Sequence, residues 1–311
     1  MDKLYLGIDL GGTNIAAGLV DSSGEIIARR NIPTPTGSDN IVDALETLCR
    51  QLMTDDVSSI GIGVPGTVWP RGTVSYACNV GMKNVPLADI LSPRLQKPVY
   101  IENDANCAAL GEYHAGCGRG KSSLLCVTLG TGVGGGYVEN GRLFRGFNGC
   151  GAELGHMVID PSGEKCACGR KGCFETFAST SALINRMNAY ISSNPHSPAA
   201  QIAAQSGVDG RTLFAAMDAG DLGAEEIYRE HIRYITLGLT NLANIFQPEI
   251  LCIGGGISAQ GEKLLAPIRE ILEAEEYARD CENRTTLRAA SLGNDAGLIG
   301  AALLERTENN D

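Results

Sequence analysis

The densest chemistry in the sequence is a histidine followed by three cysteines. Cys166, Cys168 and Cys173 fall within eight residues, and His156 stands shortly before them in Glu-Leu-Gly-His. One imidazole and three thiolates at this spacing match a closed tetrahedral zinc site, with glycines permitting the tight wrap. The alternative is buried thiols beside a solvated histidine, but Cys-x-Cys-x4-Cys next to a histidine rarely arises by chance. A metal with all four positions filled by protein is structural rather than catalytic. Its use would be to hold Glu153 and Glu175, which flank the ligands, rigid enough to hydrogen-bond a polyol.

Three glycine-rich turns each follow a predicted strand: Asp9-Leu10-Gly11-Gly12-Thr13, Gly130-Thr131-Gly132 and Gly254-Gly255-Gly256. Glycine lets backbone N–H groups approach a phosphate, and threonine adds a hydroxyl donor. One such turn is often only a tight corner; three at matched places point to nucleotide phosphates held between hairpins. No Walker sequence is present, and the first turn is not a Gly-x-Gly-x-x-Gly opening a helix, so P-loop and Rossmann arrangements fit poorly. Asp9 ends its strand as either a turn-forming carboxylate or a ligand for the Mg2+ that accompanies ATP. Asp104, between an apolar run and a helix, is either the helix N-cap or a general base. Phosphoryl transfer to a hydroxyl needs positioning, charge neutralisation and a carboxylate to take the proton. Glu102, Asn103 and Asn106 crowd the spot with groups suited to sugar hydroxyls.

The elements that must position these residues repeat. Leu4 to Asp9, Ile15 to Val20 and Glu25 to Ala28 read as an antiparallel meander, followed by a helix over Ile41 to Met53 and a buried strand over Ile60 to Val64. Val99 to Ile101 is a further strand, running into a helix over Ala105 to Tyr113. The pattern restarts with Leu124 to Leu129, a glycine turn and Val133 to Val138, which predicts two related α/β halves with a cleft between them. Ser181 to Ser193 and Ala224 to Asn244 are helical, Gln247 to Ile253 is a strand, and Ala296 to Leu304 is a helix able to pack back on the first half. Ser192 to Gly210 reads as a surface excursion and Glu305 to Asp311 as a frayed acidic tail.

Composition narrows the class. The chain has 311 residues and a formal charge of −11, which disfavours a general nucleic-acid binder. Apolar runs are too short for a membrane helix, and the N-terminus lacks a signal-peptide pattern, so a cytoplasmic protein is expected. Glycine, at 40 residues, is nearly twice as frequent as the ~7% average, and it clusters. The 11 cysteines are an odd number, which speaks against a disulfide framework. Eight of them (Cys49, Cys78, Cys107, Cys117, Cys126, Cys150, Cys252, Cys281) are dispersed and read as small buried hydrophobes. His114, His196 and His231 carry no partner motif and read as surface or satisfied core.

The order of these motifs resembles the ROK sugar kinases. The resemblance rests on Asp-Leu-Gly-Gly-Thr, Glu102-Asn103-Asp104-Ala105-Asn106, Leu129 to Gly136, Glu153-x-Gly-His156, the Cys-x-Cys-Gly-x-x-Gly-Cys-x-Glu segment, and Gly238 through Gly256. It covers nearly the whole chain. It implies a two-domain actin-like ATPase with ribonuclease H-like halves: residues 1–117 plus 294–311 as a small α/β domain, and 118–293 as a large one carrying the zinc segment. It also implies transfer of the γ-phosphate of ATP to the 6-hydroxyl of a hexose, glucose first, at the entry to glycolysis. Kinases for N-acetylmannosamine, N-acetylglucosamine or fructose share the motifs. A non-catalytic sugar-responsive regulator is a rival of another class, but the helix-turn-helix segment such proteins carry has no room before Asp9.

Residue by residue, the resemblance makes Asp104 the catalytic base and Asn79, Asn103, Asp104, Glu153, His156 and Glu175 the sugar contacts. His156 would give its other nitrogen to zinc alongside Cys166, Cys168 and Cys173. Gly11, Gly12 and Thr13 match the first phosphate turn beside Asp9, Thr131 and Gly132 the second, and Gly254, Gly255 and Gly256 the adenosine side. The implied partners are the hexose, ATP with Mg2+, and a second copy of the chain, with no nucleic acid and no membrane. Ala152 departs from the Gly-Glu more usual in relatives, and alanine there is expected to pack without consequence.

Overall fold

The computed structural model describes residues 3–69 and 71–308. The opening meander is β1 (Leu4–Leu10), β2 (Asn14–Val20) and β3 (Ile26–Pro33), followed by α1 (Ser38–Leu52) and β4 (Val57–Val64). Three short strands come next: β5 (Thr67–Trp69), β6 (Thr73–Ala77) and β7 (Met82–Val85). Then follow α2 (Leu87–Leu95), β8 (Val99–Asn103) and α3 (Asp104–His114). The second series is β9 (Ser123–Leu129), β10 (Val133–Glu139) and β11 (Arg142–Leu143), then the helices α4 (Phe174–Ala178), α5 (Thr180–Ser193), α6 (Pro198–Ser206), α7 (Thr212–Asp218) and α8 (Leu222–Phe246). The chain closes with β12 (Ile250–Gly254), α9 (Glu262–Glu275), β13 (Thr286–Ala289), α10 (Ala296–Ala302) and α11 (Glu305–Glu308).

The predicted repeat is present in the strand orders. One five-stranded sheet runs β3-β2-β1-β4-β8 and the other β11-β10-β9-β12-β13, so each begins with a meander and adds later strands at the far edge. The meander strands β1, β2 and β3 pair antiparallel, whereas β1 with β4, β4 with β8 and β12 with β13 are parallel. This is the ribonuclease H-like arrangement of actin-like ATPases, twice in one chain.

The chain forms two compact units: Met1–Cys126 with Gly135–Ala152 and Ala290–Asp311, and Val127–Gly134 with Glu153–Ala289. Compared with a division at 117/118 and 293/294, residues 118–126, 135–152 and 290–293 fall in the first unit. The core of that unit lies under its sheet, where Leu6, Ile8, Ile60 and Ile62 pack with Ile41, Leu45 and Leu48 of α1. The opposite face takes α10. Its backbone comes so close that a Cβ on Gly61 of β4 would stand 1.8 Å from the Ala301 carbonyl, and one on Gly300 would stand 1.7 Å from that of Cys107 in α3. No side chain fits either gap.

Several expectations change. The stretch read as a surface excursion contains α6, with the Ser197 hydroxyl accepting the Ala200 N–H at 3.1 Å and Pro198 in the first turn. The frayed tail is partly ordered: Glu305, in α11, accepts hydrogen bonds from Ser58 and Ser59, and Asn309 to Asp311 lie outside the described residues. Cys78, Cys150 and Cys281 are exposed rather than buried, because each sits in a turn or loop instead of an element core. Among the described residues no helix is long and apolar enough to cross a membrane.

Candidate active site

In the first unit, Asp9 lies near the end of β1 between Ala16 of β2 and Gly63 of β4. A Cβ on Gly297, at the start of α10, would sit 3.3 Å from its carboxylate. Burial and then the Asp104 carboxylate push Asp9 up to about 6, against the pull of the Arg29 guanidinium, which is itself paired with Asp295. The turn after β1 is tied from inside: the Gly11 N–H donates to the Asn14 carbonyl at 3.0 Å, and Thr34 donates its hydroxyl to the Gly11 carbonyl and its N–H to that of Thr13. Gly12 and Thr13 are exposed at its tip. Asn79, exposed on a 3-10 turn over Cys78–Val80, meets this tip, its Cβ 3.6 Å from where one on Gly12 would be.

The two readings of Asp104 separate here. The N-cap of α3 is Asn103, whose Oδ1 accepts the Ala105 and Asn106 N–H groups at 3.0 and 3.1 Å. Asp104 is the first helical residue, accepting the Ala105 N–H at 2.8 Å. Asn103 also donates from Nδ2 to the Gly66 carbonyl at 3.1 Å, so its remaining amide hydrogen is what it can offer a sugar hydroxyl. Glu102 and Asn106 do not present hydroxyl-binding groups as expected. Glu102 is 4% exposed, and its carboxylate takes the Asn103 N–H, Asn106 Nδ2 and Arg145 Nε. Sequence reading missed Arg145; its partner is 43 positions away and no local pattern joins them.

In the second unit the turn after β9 is tied in the same way. Gly130 N–H donates to the Gly132 carbonyl at 3.0 Å, and Thr180 donates its N–H to the Gly130 carbonyl and its hydroxyl to that of Leu129. Thr131 is exposed at the tip. The third turn packs on the second: Gly255 has φ +87°, and a Cβ there would lie 2.3 Å from the Leu129 carbonyl. Glu175 in α4 accepts the Val133 N–H at 3.2 Å on Oε2, and a Cβ on Gly132 would strike that same oxygen at 2.3 Å. Its Oε1 lies 3.5 Å from Cys166 Sγ and 4.0 Å from His156 Nδ1. Glu175 therefore joins the second glycine turn to the cysteine cluster, a link the sequence did not disclose. Glu153, exposed, opens the 3-10 turn over Leu154–His156 and accepts the His156 N–H at its carbonyl. Ala152 before it has φ +61°, so alanine occupies a left-handed position, contrary to the expectation of an inconsequential change.

His156, Cys166, Cys168 and Cys173 converge, with their ligand atoms all within 4.8 Å of one another. Tetrahedral zinc at ordinary bond lengths requires S···S edges of about 3.8 Å and S···N edges of about 3.6 Å. The Cys168–Cys173 sulfurs are 3.6 Å apart and Cys166 Sγ is 3.6 Å from His156 Nδ1, so the donor set and its spacing fit. Burial pushes the Cys166 thiol up to about 12, whereas the Arg170 N–H lowers that of Cys168. Loading a metal must therefore displace thiol protons. His231 is fully buried and His114 half-buried, and burial lowers them to about 3 and about 4.

The comparisons agree with this architecture. The model of the ROK family matches residues 5–308. A glucokinase of Streptomyces coelicolor is 38% identical over 97% of this chain and 98% of its own. The crystal structure of a ROK family glucokinase from Streptomyces griseus, in complex with glucose and AMPPNP, superposes with a TM-score of 0.81 at 39% identity, covering 97% of this chain and 98% of that one. A ROK family transcriptional regulator, a homologue of the E. coli MLC protein, superposes at 0.86 with 27% identity, over 99% of this chain and 78% of that one. The chain belongs to the ROK family.

Proposed function

We propose that this chain transfers the γ-phosphoryl group of ATP to the 6-hydroxyl of glucose, with Asp104 as the general base. The observation that carries the reading is the capping of α3 by Asn103, which leaves Asp104 unneeded as a cap while seating its carboxylate at the same helix terminus. The full-length likeness to glucokinases supports glucose as the acceptor.

In this mechanism Asp104 accepts the proton of the 6-hydroxyl as that oxygen attacks the γ-phosphorus and ADP departs. The turns Gly12-Thr13 and Thr131-Gly132 hold phosphate oxygens, and Gly254 to Gly256 approach the adenosine. Asp9 would supply a carboxylate for Mg2+, whose charge would neutralise the phosphates. Asn79 and Asn103 orient the sugar, as do Glu153, His156 Nε2 and Glu175. His156 Nδ1 with the three thiolates would hold zinc, which would fix the backbone on which Glu175 and Glu153 stand. The family resemblance supports a cytoplasmic homodimer feeding glycolysis, which sedimentation velocity of the purified protein tests for its assembly.

The test is ADP release with Mg-ATP against glucose, mannose, fructose, N-acetylglucosamine, N-acetylmannosamine and no sugar. Glucose should lead. Asp104→Asn should keep glucose affinity within a few-fold and cut turnover by about two decades or more, the range for loss of a general base. Turnover that survives this substitution would reduce Asp104 to a structural residue.

A further inference from the structure

The segment bearing Asp104 is not held by its own helix cap alone. Glu102, one residue before Asn103, is a buried carboxylate with three donors: the Asn103 N–H at 2.8 Å, Asn106 Nδ2 at 3.0 Å and Arg145 Nε. Arg145 comes from the loop after β11 and is 32% exposed, against 5% for Glu102. Its Nη2 donates in turn to the Thr307 hydroxyl at 3.1 Å, in α11. A relay within the first unit thus runs from the C-terminal helix through Arg145 to Glu102 and on to both residues bracketing Asp104. We propose that Arg145 is a positioning residue for phosphoryl transfer: by pairing with Glu102 it keeps that carboxylate turned inward, where it fixes the Asn103–Asp104 corner.

The physical argument is one of uncompensated charge. A buried carboxylate stripped of its counter-ion does not stay put; it turns toward water and drops the bonds it held. Here those bonds are to the main chain of Asn103 and the side chain of Asn106, so its departure would loosen the corner carrying the base. Misplacing a reacting group by about 1 Å is enough to lower turnover about a hundredfold. Arginine suits the role because one guanidinium reaches both Glu102 and Thr307 in fixed geometry.

The proposal rests on Asp104 as the base, and four variants separate the two claims. In Arg145→Met, glucose turnover should fall about tenfold or more while KM for ATP stays within about twofold, since the phosphate turns are untouched. Arg145→Lys retains the charge without the second arm and should recover turnover to within about threefold of the parent. The pair Glu102→Gln with Arg145→Met removes the stranded charge yet keeps an oxygen for Asn103 and Asn106, so it should turn over faster than Arg145→Met alone. Thr307→Val removes the outer tether together with the hydroxyl's own bond to the Leu304 carbonyl and should lower turnover about twofold. Arg145→Met with parental turnover, or a double variant no better than the single, would overturn the inference. Should Arg145→Met fail to fold, the double variant decides: folded but inactive, it refutes the positioning role. Asp104→Asn run alongside tells the failures apart, because an active Asp104→Asn enzyme refutes the base and an inactive one beside a parental Arg145→Met refutes only the relay.

Discussion

Replacing Asp9 with asparagine should make the protein more stable and inactive at once. Asp9 is pushed from an ordinary 3.8 to about 6 by burial and by Asp104. About two units at 1.36 kcal/mol each place a penalty of about 3 kcal/mol on the folded state wherever the carboxylate is ionised in both states. The sign follows from proton binding. Below the unfolded value Asp9 is neutral folded or unfolded and no penalty exists; as pH rises through the window from 3.8 to about 6 the folded state loses its advantage, and above it the penalty is complete. Asp9→Asn should therefore gain up to about 3 kcal/mol near pH 8, and only about half as much near pH 5. For a protein of this size that is a rise in Tm of up to about 5 °C. The assay is thermal or urea unfolding of parent and variant at both pH values without Mg2+, beside ADP release with Mg-ATP. A variant no more stable than the parent at pH 8, or one whose gain does not shrink toward pH 5, would refute the electrostatic account; one that still phosphorylates glucose normally would remove Asp9 from the Mg2+ site.

Two further changes test other parts of the structure. Cys168→Ser should abolish stoichiometric zinc by elemental analysis, lower stability by about 3 kcal/mol or more, and raise KM for glucose through Glu175 and Glu153; a zinc-free variant with unchanged KM would break that link. Ala152→Gly should add about 1 kcal/mol in urea unfolding by relieving the left-handed alanine, and a loss of stability would show that φ is not the governing feature there.

What could be read from the sequence were features whose physics is local. The hairpins β1-β2 and β9-β10 announce themselves because apolar runs of strand length meet glycine turns, and the candidate metal ligands because three thiols crowd one short segment. The short strands β5, β6 and β7 were not foreseen: with three to five residues apiece they carry no periodicity of their own. Helix α9 hides behind Pro267 in its second turn. Helix α6 was legible in Ser197, Pro198 and Gly207, but its short apolar residues masked the signal. At the candidate site, residue types singled out Asp9, Asp104 and the glycine turns. Sequence could not tell which of Asn103 and Asp104 would cap α3, because both side chains have the required oxygen. Nor could it join Glu102 to Arg145 or Glu175 to the second turn, since those pairs exist only once the chain has folded.

The glycine seam that admits α10 has a consequence for how the protein is made. The face of the first sheet that α10 covers is formed by β1, β2 and β4, whereas α10 and α11 leave the ribosome only after the second unit. Tyr5 and Val20 wait for Leu298, Ile299 and Leu303 while the whole second unit is made. The first unit is therefore begun before the second and completed after it. Until α10 emerges, the first sheet exposes one apolar face, while the second unit, contained between residues 127 and 289, can mature in order. Nascent chains stalled short of residue 296 should be the ones that recruit chaperones, and slowing synthesis should lengthen that exposure instead of easing folding.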